Sequence, residues 1–138
     1  MEGKKVLSGK RKRAVAKATL KSGNGKISIN KKDYFNLDMF SRLRIEEPLR
    51  IAKEVLGEIK FDIFVRVSGG GKAGQIEASR LAIARALVEA SKDSGKADLL
   101  KRAYLNYDRN LLVADTRRKE AYKPGDSKAR AKRQKSYR

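Results

Sequence analysis

Residues 60–91 read KFDIFVRVSGGGKAGQIEASRLAIARALVEAS, and two periods meet inside them. Over 60–68, Phe61, Ile63, Val65 and Val67 alternate with Asp62, Phe64 and Arg66, the period of a strand. Both sets carry apolar mass, which predicts a strand lying centrally in a sheet. Over 75–91 the period becomes helical. Ile76, Ile83, Leu87 and Ala90 form one stripe, Leu81, Ala84 and Val88 a second, and Arg85 and Glu89 fall on the remaining, wet side. So wide an apolar arc predicts burial against a sheet and a neighbouring helix together.

The hinge between the two periods is Gly69-Gly70-Gly71-Lys72-Ala73-Gly74-Gln75. A glycine-rich turn opening a helix can hold a phosphate on backbone N–H groups, with Lys72 adding charge. It can equally be a tight strand-to-helix crossing that needs the backbone freedom of Gly69, Gly70, Gly71 and Gly74, with positive φ expected at Gly70 or Gly71. It is not a Walker A loop, because Ala73 stands where a hydroxyl must meet magnesium. Nor does an acidic residue end a following strand, as a dinucleotide site requires.

Upstream, Ala14–Lys21 alternates, Ser22-Gly23-Asn24-Gly25 signals a turn, and Lys26–Asn30 alternates again. These predict a hairpin. Asp33 or Asn36 is placed to cap a short helical piece around Met39. Pro48 suits a first helical turn, with Glu46 and Glu47 before it and Gly57 as the stop. A further helix starts at Lys96, offering Leu99, Leu100 and Ala103. The expected fold is α/β, an α+β sandwich with a small mixed sheet and helices packed on it.

The chain has 138 residues, enough for one domain, and 35 Lys or Arg against 16 Asp or Glu, a net charge of +19. That excess is uneven. Counted directly, residues 1–21 carry +7 (8 − 1), residues 22–108 carry +4 (16 − 12) and residues 109–138 carry +8 (11 − 3). The organisation expected is a basic arm over 1–12, a compact body over 13–115 and an extended basic tail over 116–138. The tail, TRRKEAYKPGDSKARAKRQKSYR, has no apolar period and needs a partner to order it. A polyanion such as RNA relieves the self-repulsion of such a chain.

Cysteine, histidine and tryptophan are absent. Thiolate nucleophiles, disulfides, Cys/His zinc sites and histidine-based triads are therefore excluded. Glu46, Glu47, Asp62, Glu77 and Asp108 show no metal or hydrolase spacing and read as partners of the chain's own bases. No enzyme, cofactor or metal is expected. No run of eighteen apolar residues is present, and the opening MEGKKVLSGKRKR leads into no signal core, so a cytoplasmic location is expected.

Three stretches together resemble one family. They are Gly9-Lys10-Arg11-Lys12-Arg13-Ala14-Val15-Ala16; the glycine turn with Ala78, Ala82, Ile83, Ala84, Arg85, Ala86 and Leu87; and Asp115-Thr116-Arg117-Arg118-Lys119-Glu120 with the closing Gln134-Lys135-Ser136-Tyr137-Arg138. The chain resembles the ribosomal protein S-nine family, the universal ninth protein of the small subunit, in its archaeal and eukaryotic branch. The resemblance implies a left-handed βαβ crossover, a place in the subunit head beside neighbouring ribosomal proteins, and a tail running through rRNA toward the anticodon stem-loop of the peptidyl-site tRNA. It implies rRNA contacts by Lys10, Arg11, Lys12, Arg13, Lys72, Arg117, Arg118, Lys119, Lys128, Arg130, Lys132 and Arg133. Lys135, Tyr137 and Arg138 would approach the tRNA. The alternative from another class is a free-standing nucleic-acid chaperone or DNA-coating protein, which has no need of a specific packed body.

Overall fold

The computed structural model describes residues 5–122, 124, 129 and 130. Five strands, β1 (Val6–Arg11), β2 (Ala14–Ser22), β3 (Ile27–Ile29), β4 (Lys32–Asp33) and β5 (Phe61–Ser68), form one sheet in the order β1-β2-β5-β3-β4. Among the described residues, three α-helices accompany the sheet: α1 (Met39–Leu56), α2 (Lys72–Ala90) and α3 (Ala97–Tyr107). The mixed α/β fold expected from sequence is the fold observed. β5 is central, antiparallel to β2 and parallel to β3. Because β3 and β5 are parallel neighbours, the chain between them crosses over through β4 and α1.

One face of the sheet is covered. Ala14, Ala16 and Ala18 of β2 and Ile63 and Val65 of β5 point into a core shared with Ile76, Ala82, Ile83 and Leu87 of α2. α2 lies across β1, β2 and β5, while α1 packs on α2 and α3. The small side chains allow the helix to sit at backbone distance from the sheet. A Cβ at Gly9 of β1 would stand 2.3 Å from the Ala78 carbonyl oxygen and 2.8 Å from the Ala82 nitrogen. Only glycine permits that approach.

Four expectations are corrected. Residues 6–11, assigned to a basic arm, are the first edge strand, laddered from Val6↔Thr19 to Arg11↔Ala14. Leu7 and Gly9 face inward along it, but glycine and two basic residues hide the alternation. Secondly, β2 and β3 form no hairpin, because β5 lies between them. The Asp62 carboxylate accepts from the N–H groups of Asn24 (3.0 Å) and Lys26 (2.9 Å), so the loop wraps the start of β5 and delivers β3 to its far side.

Thirdly, Pro48 is an interior residue of α1, not its first turn. The helix starts at an Asp38 cap, whose carboxylate accepts from the Ser41 N–H (3.3 Å) and hydroxyl (2.9 Å). Asp33 caps only the short 3-10 turn Tyr34–Asn36. Pro48 is buried, and its carbonyl accepts from the Tyr104 hydroxyl of α3 at 2.8 Å. Burial pushes the Tyr104 phenol well above its usual range, which keeps it a donor. Fourthly, Arg85 is not simply wet. Its guanidinium donates to the carbonyls of Ser8 (2.8 Å) and Leu112 (3.0 Å), tying β1 and the segment after α3 to α2.

The glycine turn is also specific in a way the sequence does not reveal. Gly69 and Gly70 have φ of +74° and +66°, whereas Gly71 has φ −96° and caps α2 from an extended conformation. A Cβ on Gly69 would lie 2.6 Å from the Arg13 carbonyl oxygen; one on Gly71 would meet nothing within 4 Å. The Gln75 side chain closes the turn by donating to the Gly69 carbonyl at 3.1 Å.

Gly69→Ser should therefore cost about 1–3 kcal/mol in denaturant unfolding. Gly71→Ser should leave stability unchanged or raise it by up to about 1 kcal/mol by supplying a helix cap. Equal losses at the two positions would contradict the assigned geometry. A second expectation concerns acid. Bonds from Lys72 and Ser41 lower the Asp38 carboxyl to about 2. A folded-state value below the unfolded one stabilises above the ordinary carboxylate range and is lost as pH falls through about 2. The stability advantage of the native chain over Asp38→Asn should shrink between pH 5 and pH 2, measured by unfolding at each pH.

Candidate nucleic-acid interface

The β1–β2 turn is two residues long, Lys12 and Arg13, with Lys12 at φ +52°. Both side chains are exposed, as is Lys10. The turn rests directly on the glycine hinge, since the Gly69 and Gly70 Cβ positions abut Arg13 and Ala14 backbone atoms. Two stretches more than fifty residues apart in sequence thus share one end of the molecule.

Arg11 draws in the third. Its guanidinium pairs with Glu77 of α2 at 2.6 Å and with Asp115 just beyond the body. Asp115 in turn holds Arg117 through three side-chain bonds of 3.2, 3.0 and 2.9 Å and accepts from the Arg117 backbone N–H at 3.0 Å. These Arg117 bonds, with Arg11 nearby, hold the Asp115 carboxyl well below the usual carboxylate range. Hairpin tip, helix start and tail root are therefore joined by one chain of alternating charges that begins at Arg44, 2.7 Å from Glu77.

A parallel cluster lies alongside. Arg80 of α2, largely buried, bridges Glu47 of α1 and Asp108 after α3, the latter at 3.2 Å. Both clusters line an open cleft of about 300 Å³. Every carboxylate considered for acid–base work has an assigned partner. Glu46 pairs with Arg42 (2.9 Å) and Arg50 (3.1 Å), and the others hold Arg80, Arg11 or the Asn24–Lys26 backbone. No cluster of three potential metal ligands occurs among the described residues.

The expected RNA ligands are thus not equivalent. Arg11 is turned inward and neutralised, and Lys72 pairs with Asp38 at 2.7 Å while keeping an exposed side chain. Arg118 donates to the carbonyls of Asp115 (3.4 Å) and Arg117 (3.0 Å), which turns the chain as it leaves the body. Thr116 to Tyr122 are exposed and belong to no helix or strand. Lys119 lies over the Tyr122 ring at 4.4 Å, and Arg130 reaches Glu120 at 3.3 Å. Lys128, Lys132, Arg133, Lys135, Tyr137 and Arg138 lie outside the described residues, as do residues 1–4. Arg80 has no place in the sequence reading, and the structural roles of Gly9, Gln75 and Arg85, though the residues are quoted there, are not foreseen by it. For Gly9, its place on the inward register of a VLSGKR strand was the available signal.

No helix among the described residues is long and apolar enough to cross a membrane. Residues 9–138 match the family described as ribosomal protein S9/S16. The chain is 47% identical over 133 residues to the small ribosomal subunit protein uS9 of Methanococcus maripaludis, covering 94% of this chain and 95% of that protein. It is 45% identical over 133 residues, with the same coverage, to the uS9 protein of Methanococcus vannielii. The matched region takes in the hairpin tip, the glycine hinge and the tail, whose root at Asp115 meets the first two around Arg11. The chain belongs to the ribosomal protein S9/S16 family.

Proposed function

We propose that the chain is a structural constituent of the small-subunit head, anchored on rRNA by its basic ends, with its tail directed toward the anticodon stem-loop of the peptidyl-site tRNA. The observation that carries this reading is the convergence of hairpin tip, glycine hinge and tail root through Arg11, Glu77 and Asp115. It concentrates exposed Lys10, Lys12, Arg13 and Arg117 at one end of a body whose middle carries only +4 (16 − 12 over residues 22–108). Phosphate groups neutralise such a cluster with release of counterions. Arginine adds bidentate bonding and stacking, and lysine adds charge.

In this reading Lys10, Lys12, Arg13, Arg118 and Lys119 meet rRNA from the body, and Lys128, Arg130, Lys132 and Arg133 continue along the tail. Lys72 exchanges Asp38 for phosphate at the open end of α2, where no side chain caps the helix. Arg11 positions the tail root rather than touching RNA. Lys135, Tyr137 and Arg138 reach the tRNA, Tyr137 by stacking and Arg138 by phosphate pairing. The crossover from β3 to β5 through α1 takes the left-handed sense of the family. The location is the cytoplasmic ribosome, with proteins of the subunit head as neighbours.

Residues 117–135 hold nine positive groups, enough to fix the tail in rRNA without the last residue. Deleting Arg138 should leave small-subunit assembly intact and raise the tRNA dissociation rate several-fold, since one exposed phosphate pair is worth about 1 kcal/mol. Removing 117–138 should also impair incorporation. The measurement is the peptidyl-site tRNA off-rate on isolated subunits carrying each truncation, beside their sedimentation. A normal off-rate on fully assembled Arg138-deleted particles would reduce the tail to an rRNA anchor.

A further inference from the structure

The sheet face opposite α2 carries exposed Ser8, Lys10, Lys17, Lys21, Phe64 and Arg66. The register places Lys17 of β2 directly across from Arg66 of β5. Like charges at opposed positions of an antiparallel ladder repel. Neither residue has an ion-pair partner among the described residues, in contrast to the paired arginines around Arg11 and Arg80.

A third cation completes the group. The β3–β4 turn is Asn30-Lys31, with φ of +50° and +68°. A two-residue turn with both residues left-handed favours glycine second, yet here it carries lysine. Asn30 fixes the turn against β5: its side chain accepts from the Val67 N–H at 2.9 Å and its own N–H donates to the Val65 carbonyl at 2.8 Å. Lys17, Lys31 and Arg66 thereby line one shallow hollow of about 470 Å³, together with Val15, Asn30 and Ser68, and no carboxylate lines it.

The carboxylates elsewhere on this face are engaged. Asp62, at the start of β5, accepts from the Asn24 and Lys26 backbone, and Asp33, level with Phe64 in the ladder, accepts from the Phe35 backbone. Phe64 lies one pleat from Arg66, 36% exposed, with the Lys21 ammonium 5.1 Å from its ring centre. A half-exposed aromatic among uncompensated cations suits a nucleotide chain, its phosphates on the cations and a base or ribose on the ring.

We propose that this open sheet face is a second RNA-backbone site, built on Lys17, Lys31 and Arg66, that adjoins the hairpin–hinge end through Val15 and Ser68. It rests on the reading of the chain as an rRNA-binding protein and adds which further surface the RNA occupies. The like-charge pair and the left-handed lysine each work against the free fold, and a bound phosphate relieves the repulsion. The body is then held by RNA on its sheet face as well as at the hairpin end.

The test compares the full chain with a Lys17→Thr/Lys31→Gly/Arg66→Thr variant, using a full-length small-subunit rRNA transcript of Methanococcus maripaludis as the probe. The free variant should be as stable as the native chain or more so, since a repulsion and an unfavourable φ are removed. Its rRNA affinity near 0.1 M salt should fall on the order of tenfold or more, and its salt slope should flatten by about two to three. Lys17→Arg should bind as the native chain does. An unaltered slope and affinity in the triple variant overturns the sheet-face site while leaving the general reading intact. Failure of the native chain to bind the transcript overturns that reading itself. Acetylation footprinting supplies a second readout. Protection of Lys17 and Lys31 by naked rRNA supports the proposal; protection appearing only when the other subunit proteins are added overturns it and assigns the face to a protein neighbour.

Discussion

The close seat of α2 on the sheet is the constraint from which the rest of the structure follows. Gly9 on β1, the alanines of β2 and the Ala78–Ala82 segment of α2 remove the side-chain volume that would hold the two layers apart. With the helix at backbone distance, Arg85 reaches the Ser8 carbonyl and Arg11 reaches Glu77. The glycine hinge must then reverse the chain within a few residues, which sets the positive φ of Gly69 and Gly70. Close packing of this kind tolerates no added methyl group without displacement, so the small residues of the family signature are structural before they are anything else.

Charge is divided along the same lines. Where arginines lie between elements, as Arg11 and Arg80 do, each meets two carboxylates and serves as a cross-brace. Among the described residues, Lys10, Lys12 and Arg13 at the hairpin tip have no ion-pair partner, and Arg117 and Arg130 of the tail each meet one carboxylate. As a member of a ribosomal protein family the chain is an RNA-binding component of the translation machinery and not an enzyme. Its carboxylates act as internal counter-charges, which is consistent with that role.

Legibility in the sequence followed the range of the forces involved. β5 and α2 were readable because alternation and helical stripes are local and each is strongly patterned. β1 was hidden because its inward positions are Leu7, Gly9 and Arg11, only one of them a hydrophobic signal. The Asn24-Gly25 turn was recognised but its outcome was not, because Asp62, 38 residues beyond Asn24, decides where the chain goes next. Pro48 suggested a helix start, yet Asp38 and Ser41 had already begun the helix, and the buried Tyr104 hydroxyl anchors the Pro48 carbonyl. In the site, the basic run Lys10–Arg13 was visible, but the inward turn of one member depends on Glu77 and Asp115, which no local pattern links to it.

The Arg85 brace has a consequence for the order in which the chain is made. β1 is synthesised before α2 and can ladder with β2 as soon as both are made, but its inner face has nothing to rest on until α2 exists. Arg85 then closes on Ser8, 77 residues earlier, and on Leu112, 27 residues later. Folding of the body is therefore a late, non-local event that cannot finish before the segment around Leu112 has emerged. The basic tail is made after Leu112, so it becomes available to RNA only once the body that aims it can close.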